Sequence, residues 1–219
     1  MGNADTRRKA SKLREKQIRG KIPKSLGPRD SPPRFVADVM LGKLAKWLRI
    51  AGYDVLYSNR YTDDALISIS RNENRILLSL DTRLLVRRNV DRFLFLQSRD
   101  LESQLRQILE TFRPSGLPAP LSRCLSCNEI LSDVPAESVR DRVPEYVFRH
   151  QGSFKICPEC RKIFWSGTHR ESVLKILQGL LPEGMQDAQP EESKPDTSTS
   201  GRVPDPEEFP PHADTHPKR

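Results

Sequence analysis

The chain has 219 residues, of which 36% are hydrophobic, 6% aromatic and 30% charged, with 18 prolines. This composition excludes one large buried core, and no stretch approaches the roughly 18 uninterrupted apolar residues of a membrane span. The formal net charge of +8 is concentrated at one end: residues 1–34 carry 11 Lys and Arg against 3 Asp and Glu, whereas residues 183–219 carry 4 against 9.

Residues 1–33 have almost no apolar periodicity, so they cannot offset the entropy of folding and read as a disordered basic arm. A basic arm ahead of a compact domain suits a polyanion such as RNA, because lysine and arginine release condensed counterions when they meet phosphates. A solubilising tail without a partner has the same composition. The arm lacks the apolar centre of a secretory signal, which points to a cytoplasmic protein. In a reducing compartment the four cysteines read as metal ligands rather than disulfide partners.

From residue 34 the pattern changes. Phe35-Val36-Ala37 is a short apolar run ending at Asp38, and a helix is expected from about Met40 to Ala51, with Leu41, Leu44, Ala45 and Leu48 on its apolar stripe. Gly52 closes that helix. A strand at Val55-Leu56-Tyr57 follows, and Thr62 is placed to cap a second helix that starts at Asp63-Asp64. Ile76-Leu77-Leu78-Ser79-Leu80 reads as a buried strand ending at Asp81, with a short helix through Leu84 and Leu85 beyond it. Phe93 to Leu96 forms a fourth strand, and Asp100 to Phe112 a last helix.

Strands alternating with helices predict an α/β domain over residues 34–115, a parallel sheet with helices on both faces joined by right-handed crossovers. Such sheets place ligands at the carboxyl ends of their strands. Asp38 and Asp81 each follow a strand, and Asp63 and Asp64 stand on a loop that leaves one. Taken singly, each acid has an ordinary use: Asp63 and Asp64 favour a helix N-terminus, and Asp81 can cap the helix after it. Taken together they can converge on one sheet edge, where hard oxygen donors suit Mg²⁺ or Mn²⁺ and metal-assisted phosphodiester hydrolysis. No glycine-rich phosphate loop is present, which disfavours a nucleotide-fuelled enzyme or a dehydrogenase.

After a Pro-rich linker around Pro114 to Pro120 come Cys124-Leu125-Ser126-Cys127 and Cys157-Pro158-Glu159-Cys160, which together use every cysteine of the chain. Two such pairs wrap four thiolates around a tetrahedral Zn²⁺ in a closed structural site, a zinc ribbon. His150 and His169 are further nitrogen donors, but four thiolates already satisfy zinc. Phe148 and Phe164 are expected in the ribbon core, while Trp165 is left between packing and stacking on nucleic-acid bases. The segment from His169 to Leu181 is amphipathic and is assigned to the ribbon as its closing helix, giving a module over 121–181 and an acidic, Pro-rich tail over 182–219. With a core of its own, the sheet is expected to stay folded when the ribbon is lost.

The order of Phe35-Val36-Ala37-Asp38, Leu41-Gly42-Lys43-Leu44-Ala45-Lys46-Trp47-Leu48-Arg49, Thr62-Asp63-Asp64, Ser79-Leu80-Asp81, the two cysteine pairs and Trp165-Ser166-Gly167-Thr168-His169 resembles the Mut-seven C-terminal family, a PIN-like ribonuclease domain followed by a zinc ribbon. The resemblance covers about residues 34–180. It implies a PIN-like fold and metal-dependent hydrolysis of RNA, single-stranded by expectation, with Asp38, Asp63 and Asp81 at the family's acidic positions and Asp64 beside them. Many PIN-like proteins carry a fourth acid two residues after the one matching Asp81. Here that position is Arg83, which bears on whether a second metal binds and keeps a competing class in view, a non-catalytic RNA-binding or ribosome-associated adaptor.

Overall fold

A computed structural model describes Ile18 and residues 32–112, 118–165 and 169–181. The acidic tail, nearly all of the basic arm and the side chain of His169 lie outside the described residues. Among those described, no helix is long and apolar enough to cross a membrane.

The first module is an α/β unit. Strands β1 (Phe35–Ala37), β2 (Val55–Tyr57), β3 (Ile76–Ser79) and β4 (Phe93–Phe95) form a wholly parallel sheet in the order β2-β1-β3-β4. Helices α1 (Gly42–Ile50), α2 (Asp63–Asn72), α3 (Thr82–Leu85) and α4 (Leu101–Phe112) alternate with the strands. Alternation along each strand sorts the apolar residues onto two faces. Phe35, Ala37, Ile76, Leu78 and Leu94 join Leu44 and Leu48 of α1 and Leu105 and Ile108 of α4 in one core, whereas Val36, Leu77 and Phe93 join Leu66 of α2 and Leu84 and Leu85 of α3 in the other.

The first helix is broken at its start. Val39–Leu41 forms a 3-10 turn capped by Asp38, and the α-helix begins only at Gly42. A side chain at residue 42 would place its Cβ 2.7 Å from the Tyr57 hydroxyl, which donates to the Val39 carbonyl at 3.0 Å. At the other end Gly52 takes φ +92°, and a Cβ there would lie 2.4 Å from the Pro118 carbonyl oxygen. The sequence role of Gly52 as a helix stop is therefore joined by a second one, admitting the returning chain against the helix end.

The second module has an antiparallel sheet of β5 (Ser132–Val134), β6 (Phe154–Ile156) and β7 (Ile163–Trp165), with helix α5 (Glu145–His150) beside it. Phe154, Ile156, Ile163, Val139 and Val143 make its small core, against which Phe148 and Trp165 lie half-buried; Phe164 faces Cys124 and Cys157. Tyr146 is 71% exposed and its ring meets that of His150 at 4.3 Å.

Two placements differ from expectation. Helix α6 (His169–Leu180), assigned above to the ribbon, instead buries Val173, Leu177 and Leu180 in the same core as Phe35 and the α1 and α4 residues. An amphipathic pattern says that a helix buries a face but not against which partner, and the larger apolar surface lies on the sheet module. Ile18, from the segment read as an arm, is 1% exposed and joins Val36, Leu66 and Leu84 in the opposite core. One isoleucine in a basic run carries no periodicity by which to foresee this.

Candidate functional site

The sheet order reverses direction between β1 and β3, since successive chain crossovers leave those two neighbouring strands toward opposite sides; this is the switch point at which open parallel sheets hold ligands. Asp38 directly follows β1 there and is 6% exposed. Its Oδ1 accepts the Val39 N–H at 2.6 Å and its Oδ2 accepts the Ser79 hydroxyl at 2.5 Å. Ser79, the last residue of β3 and fully buried, also accepts the Asp81 N–H through the same Oγ at 2.9 Å. One hydroxyl therefore holds the carboxylate after β1 and the backbone of the acid after β3.

Asp81 caps α3 by accepting the Arg83 N–H at 2.7 Å, the structural use open to it from sequence. Thr62 caps α2 by accepting the Ala65 N–H at 3.3 Å, so Asp63 and Asp64 fall in its first turn, where acids interact favourably with the helix dipole. Both are held by one guanidinium: Arg87 lies 3.8 Å from Asp63 and hydrogen-bonds Asp64. The fold thus links Asp38 to Asp81 through Ser79 and ties Asp63 to Asp64 through Arg87. The four carboxylates do not form a group in mutual ligand distance; among the described residues the four cysteines alone do.

Ser79 and Arg87 are missing from the sequence reading. A polar residue closing an otherwise apolar strand two positions before an acid is the signal that finds Ser79. Nothing local points to Arg87, since its partners are 23 and 24 residues away. Replacing Ser79 by alanine leaves the Asp81 N–H and a carboxylate oxygen of Asp38 short of a partner, and is expected to cost about 1–3 kcal/mol. Urea denaturation of Ser79→Ala beside wild type measures this, with an unchanged midpoint counting against the link.

The cysteine centre is built from two similar turns. In the first, Asn128 N–H donates to the Cys124 carbonyl at 2.9 Å and Cys124 N–H to Glu129 at 2.8 Å; in the second, Arg161 N–H donates to Cys157 at 3.0 Å and Cys157 N–H to Lys162 at 2.9 Å. The residue after each pair is left-handed, Asn128 at φ 71° and Arg161 at φ 61°. This repeated geometry folds each pair around a common point. Sγ separations are 3.6 Å for Cys124–Cys127 and Cys124–Cys160, and 3.7 Å for Cys127–Cys157, and the four sulfurs lie within 4.8 Å of one another. These spacings are far beyond a disulfide's ~2.05 Å bond. They match the edge of about 3.8 Å that a tetrahedron with metal–sulfur bonds of ~2.3 Å requires. The four cysteines can therefore hold a metal ion such as zinc.

Burial pushes the Cys124 and Cys127 thiols above the ordinary range. At Cys160 the desolvation is outweighed by the Lys162 N–H and neighbouring thiols, which bring it down. His150 is turned to the Tyr146 carbonyl at 2.8 Å and is not part of the four-cysteine group.

The first turn is also embedded in the sheet module. Arg49 of α1, 4% exposed, donates to the carbonyls of Leu125 at 2.7 Å and Ser126 at 3.1 Å while holding Val55 O at 2.9 Å. Asn128 accepts the Val55 N–H at 2.9 Å and donates to Asp54 at 2.8 Å, and Arg123 donates to Gly52 O at 3.0 Å.

The family model described as the Mut7-C RNAse domain matches residues 33–177. Comparison with curated proteins and with solved structures finds no match in either.

Proposed function

Because the chain belongs to the Mut7-C RNAse domain family, we propose that it is a metal-dependent ribonuclease whose centre is the switch-point edge of Asp38, Asp63 and Asp81. The observation that carries this reading is the buried Asp38, joined through Ser79 to the backbone of Asp81, where a parallel sheet takes its ligand. Although these carboxylates are not within mutual ligand distance here, their donors are all oxygen, the type that a hard divalent cation such as Mg²⁺ or Mn²⁺ takes while keeping several waters and substrate phosphate oxygens, and Asp64 would be a further neighbouring donor. Bound there, such an ion lowers the pKa of a coordinated water and offsets charge on the phosphate. The protein's own contribution is placement: Ser79 fixes the rotamer of Asp38, and the α3 cap fixes Asp81. Single-stranded RNA is the proposed substrate, since Val39 and Met40, directly after Asp38, are 41% and 56% exposed and offer apolar surface to unstacked bases.

Zinc is the proposed occupant of the cysteine centre, with the ribbon assisting RNA binding, and a cytoplasmic setting is proposed because a reducing compartment keeps four such cysteines available as thiolate ligands. An RNA-binding adaptor without catalysis is the second reading. It is favoured by Arg83 in place of an acid and by the ion pairing of Arg87 with Asp63 and Asp64.

The deciding experiment is cleavage of end-labelled single-stranded RNA by the purified chain with Mn²⁺. Products ending in 5′-phosphate and 3′-hydroxyl are expected, and Asp38→Asn is expected to lose a hundredfold or more, roughly the several kcal/mol that metal catalysis supplies. Binding without cleavage in both proteins supports the adaptor.

A further inference from the structure

We propose that Arg87, with Arg83 four residues before it, forms a subsite for the RNA phosphodiester backbone, and that Arg87 exchanges its carboxylate partners for phosphate when metal and RNA bind together. The inference rests on the ribonuclease reading and adds to it a residue, a ligand group and a coupling.

Arg83 lies in α3 and Arg87 two residues beyond its end, where Arg87 N–H bonds to Leu84 O at 3.2 Å. Both point to the acidic edge: Arg83 lies 3.9 Å from Asp81, and Arg87 reaches Asp63 and Asp64. Neither is consumed by the fold. The Arg83 side chain is 80% exposed and that of Arg87 43%, against 60% and 81% for Asp63 and Asp64. Ion pairs this exposed are among the weakest ionic contacts a protein makes.

Their position is costly for a site that holds only metal. A guanidinium on Asp63 competes with a divalent cation for the same oxygens, and like charges so close repel. A phosphodiester removes the conflict, because it arrives with negative charge and presents the planar pair of oxygens that a guanidinium binds in fork geometry. Exposed Arg60, on the loop that leads from β2 to α2, adds a third cation to this edge. Metal affinity is then low without RNA and rises with it, and by linkage RNA affinity rises with metal.

The test uses the full chain, with Mn²⁺ binding read from the free-ion electron paramagnetic resonance signal and RNA binding from anisotropy of a cleavage-resistant single-stranded phosphorothioate RNA. Arg87→Gln is expected to bind Mn²⁺ alone roughly threefold more tightly, having lost a competitor worth no more than a weak surface pair. It is expected to bind the RNA about tenfold more weakly and to lower the salt dependence of RNA binding by about one ion. Arg87→Lys, which keeps the charge without the fork, should recover part of the RNA affinity. A purely structural ion pair predicts no opposite movement of the two affinities. If Arg87→Gln binds RNA as wild type does, or binds Mn²⁺ less tightly, while wild type still cleaves with Mn²⁺, the subsite is overturned and the nuclease stands. If wild type neither binds Mn²⁺ nor cleaves, both are overturned.

Discussion

Stripping the metal from the cysteine centre, or replacing Cys157 with serine, is expected to lower the stability of the four-stranded sheet as well as unfold the cysteine hairpin. Two of the four sulfurs come from a turn embedded in the sheet module and two from the β6–β7 turn of the other, so an ion at their centre pins one module to the other. The hairpin cluster of Phe154, Ile156 and Ile163 is small, and in such modules metal affinity is folding free energy. The sheet is affected through Arg49. Its guanidinium, in a site where burial disfavours its charge, depends on the carbonyls of Leu125 and Ser126 as well as Val55. A turn that loosens leaves a buried charge short of acceptors, at a cost of about 3 kcal/mol.

The two tryptophans separate the outcomes, because Trp47 is buried in α1 and Trp165 lies in β7. In a Trp165→Phe background, fluorescence reports the sheet module alone. Its denaturation midpoint is expected to fall on chelation and equally in Cys157→Ser. A midpoint that stays in place when the cysteine centre is emptied would show that the modules fold independently, as the sequence led us to expect, and would reduce the Arg49 contacts to docking that adds nothing to the sheet's stability.

That contrast marks the boundary of what the sequence reveals. The apolar runs at Phe35, Val55, Ile76 and Phe93 become strands because a sheet covered on both faces has no use for alternation with polar residues, a purely local signature. The cysteine turns are legible for the same reason, since spacing within four residues sets the thiolate geometry. The acids after β1 and β3 could be placed because parallel topology brings their strand ends together. Beyond that distance legibility fails. Asn128 and Val55 meet across 73 residues, Arg49 and Leu125 across 76, and α6 docks on a helix whose pattern shows no sign of it. Asp63 and Asp81 share a sheet edge in the topology, yet their partners differ, because the guanidinium that claims one lies on an element whose direction only the packed chain determines.

At the opposite edge from the proposed metal site, replacing Asp54 by asparagine is expected to destabilise the chain by about 3 kcal/mol. Asp54 precedes β2 and binds Arg75 at 2.5 Å, Arg34 at 3.0 Å and the Asn128 amide at 2.8 Å. The side chain of Arg75 is 5% exposed and bridges to Glu73 at 2.8 Å and to the Phe35 carbonyl at 3.2 Å, so the cluster fastens the starts of β1, β2 and β3 and the first cysteine turn. Asparagine preserves the shape but leaves Arg75 with only the half-exposed Glu73 as an anion, which places the loss at the low end for a broken buried pair. The same contacts set a pH dependence. Burial opposes the charged form of Asp54, but the hydrogen bonds from Arg75 and Asn128 outweigh it and hold the carboxyl below the ordinary carboxylate range. Its contribution is therefore fully present above the unfolded value of about 3.9 and is lost as pH falls through the lower folded value. Urea midpoints measured from pH 7 down to pH 3 should fall more steeply below pH 4 in wild type than in Asp54→Asn, the two curves converging in acid. Parallel curves throughout would mean that the charge of Asp54 adds nothing and that the cluster holds by shape alone.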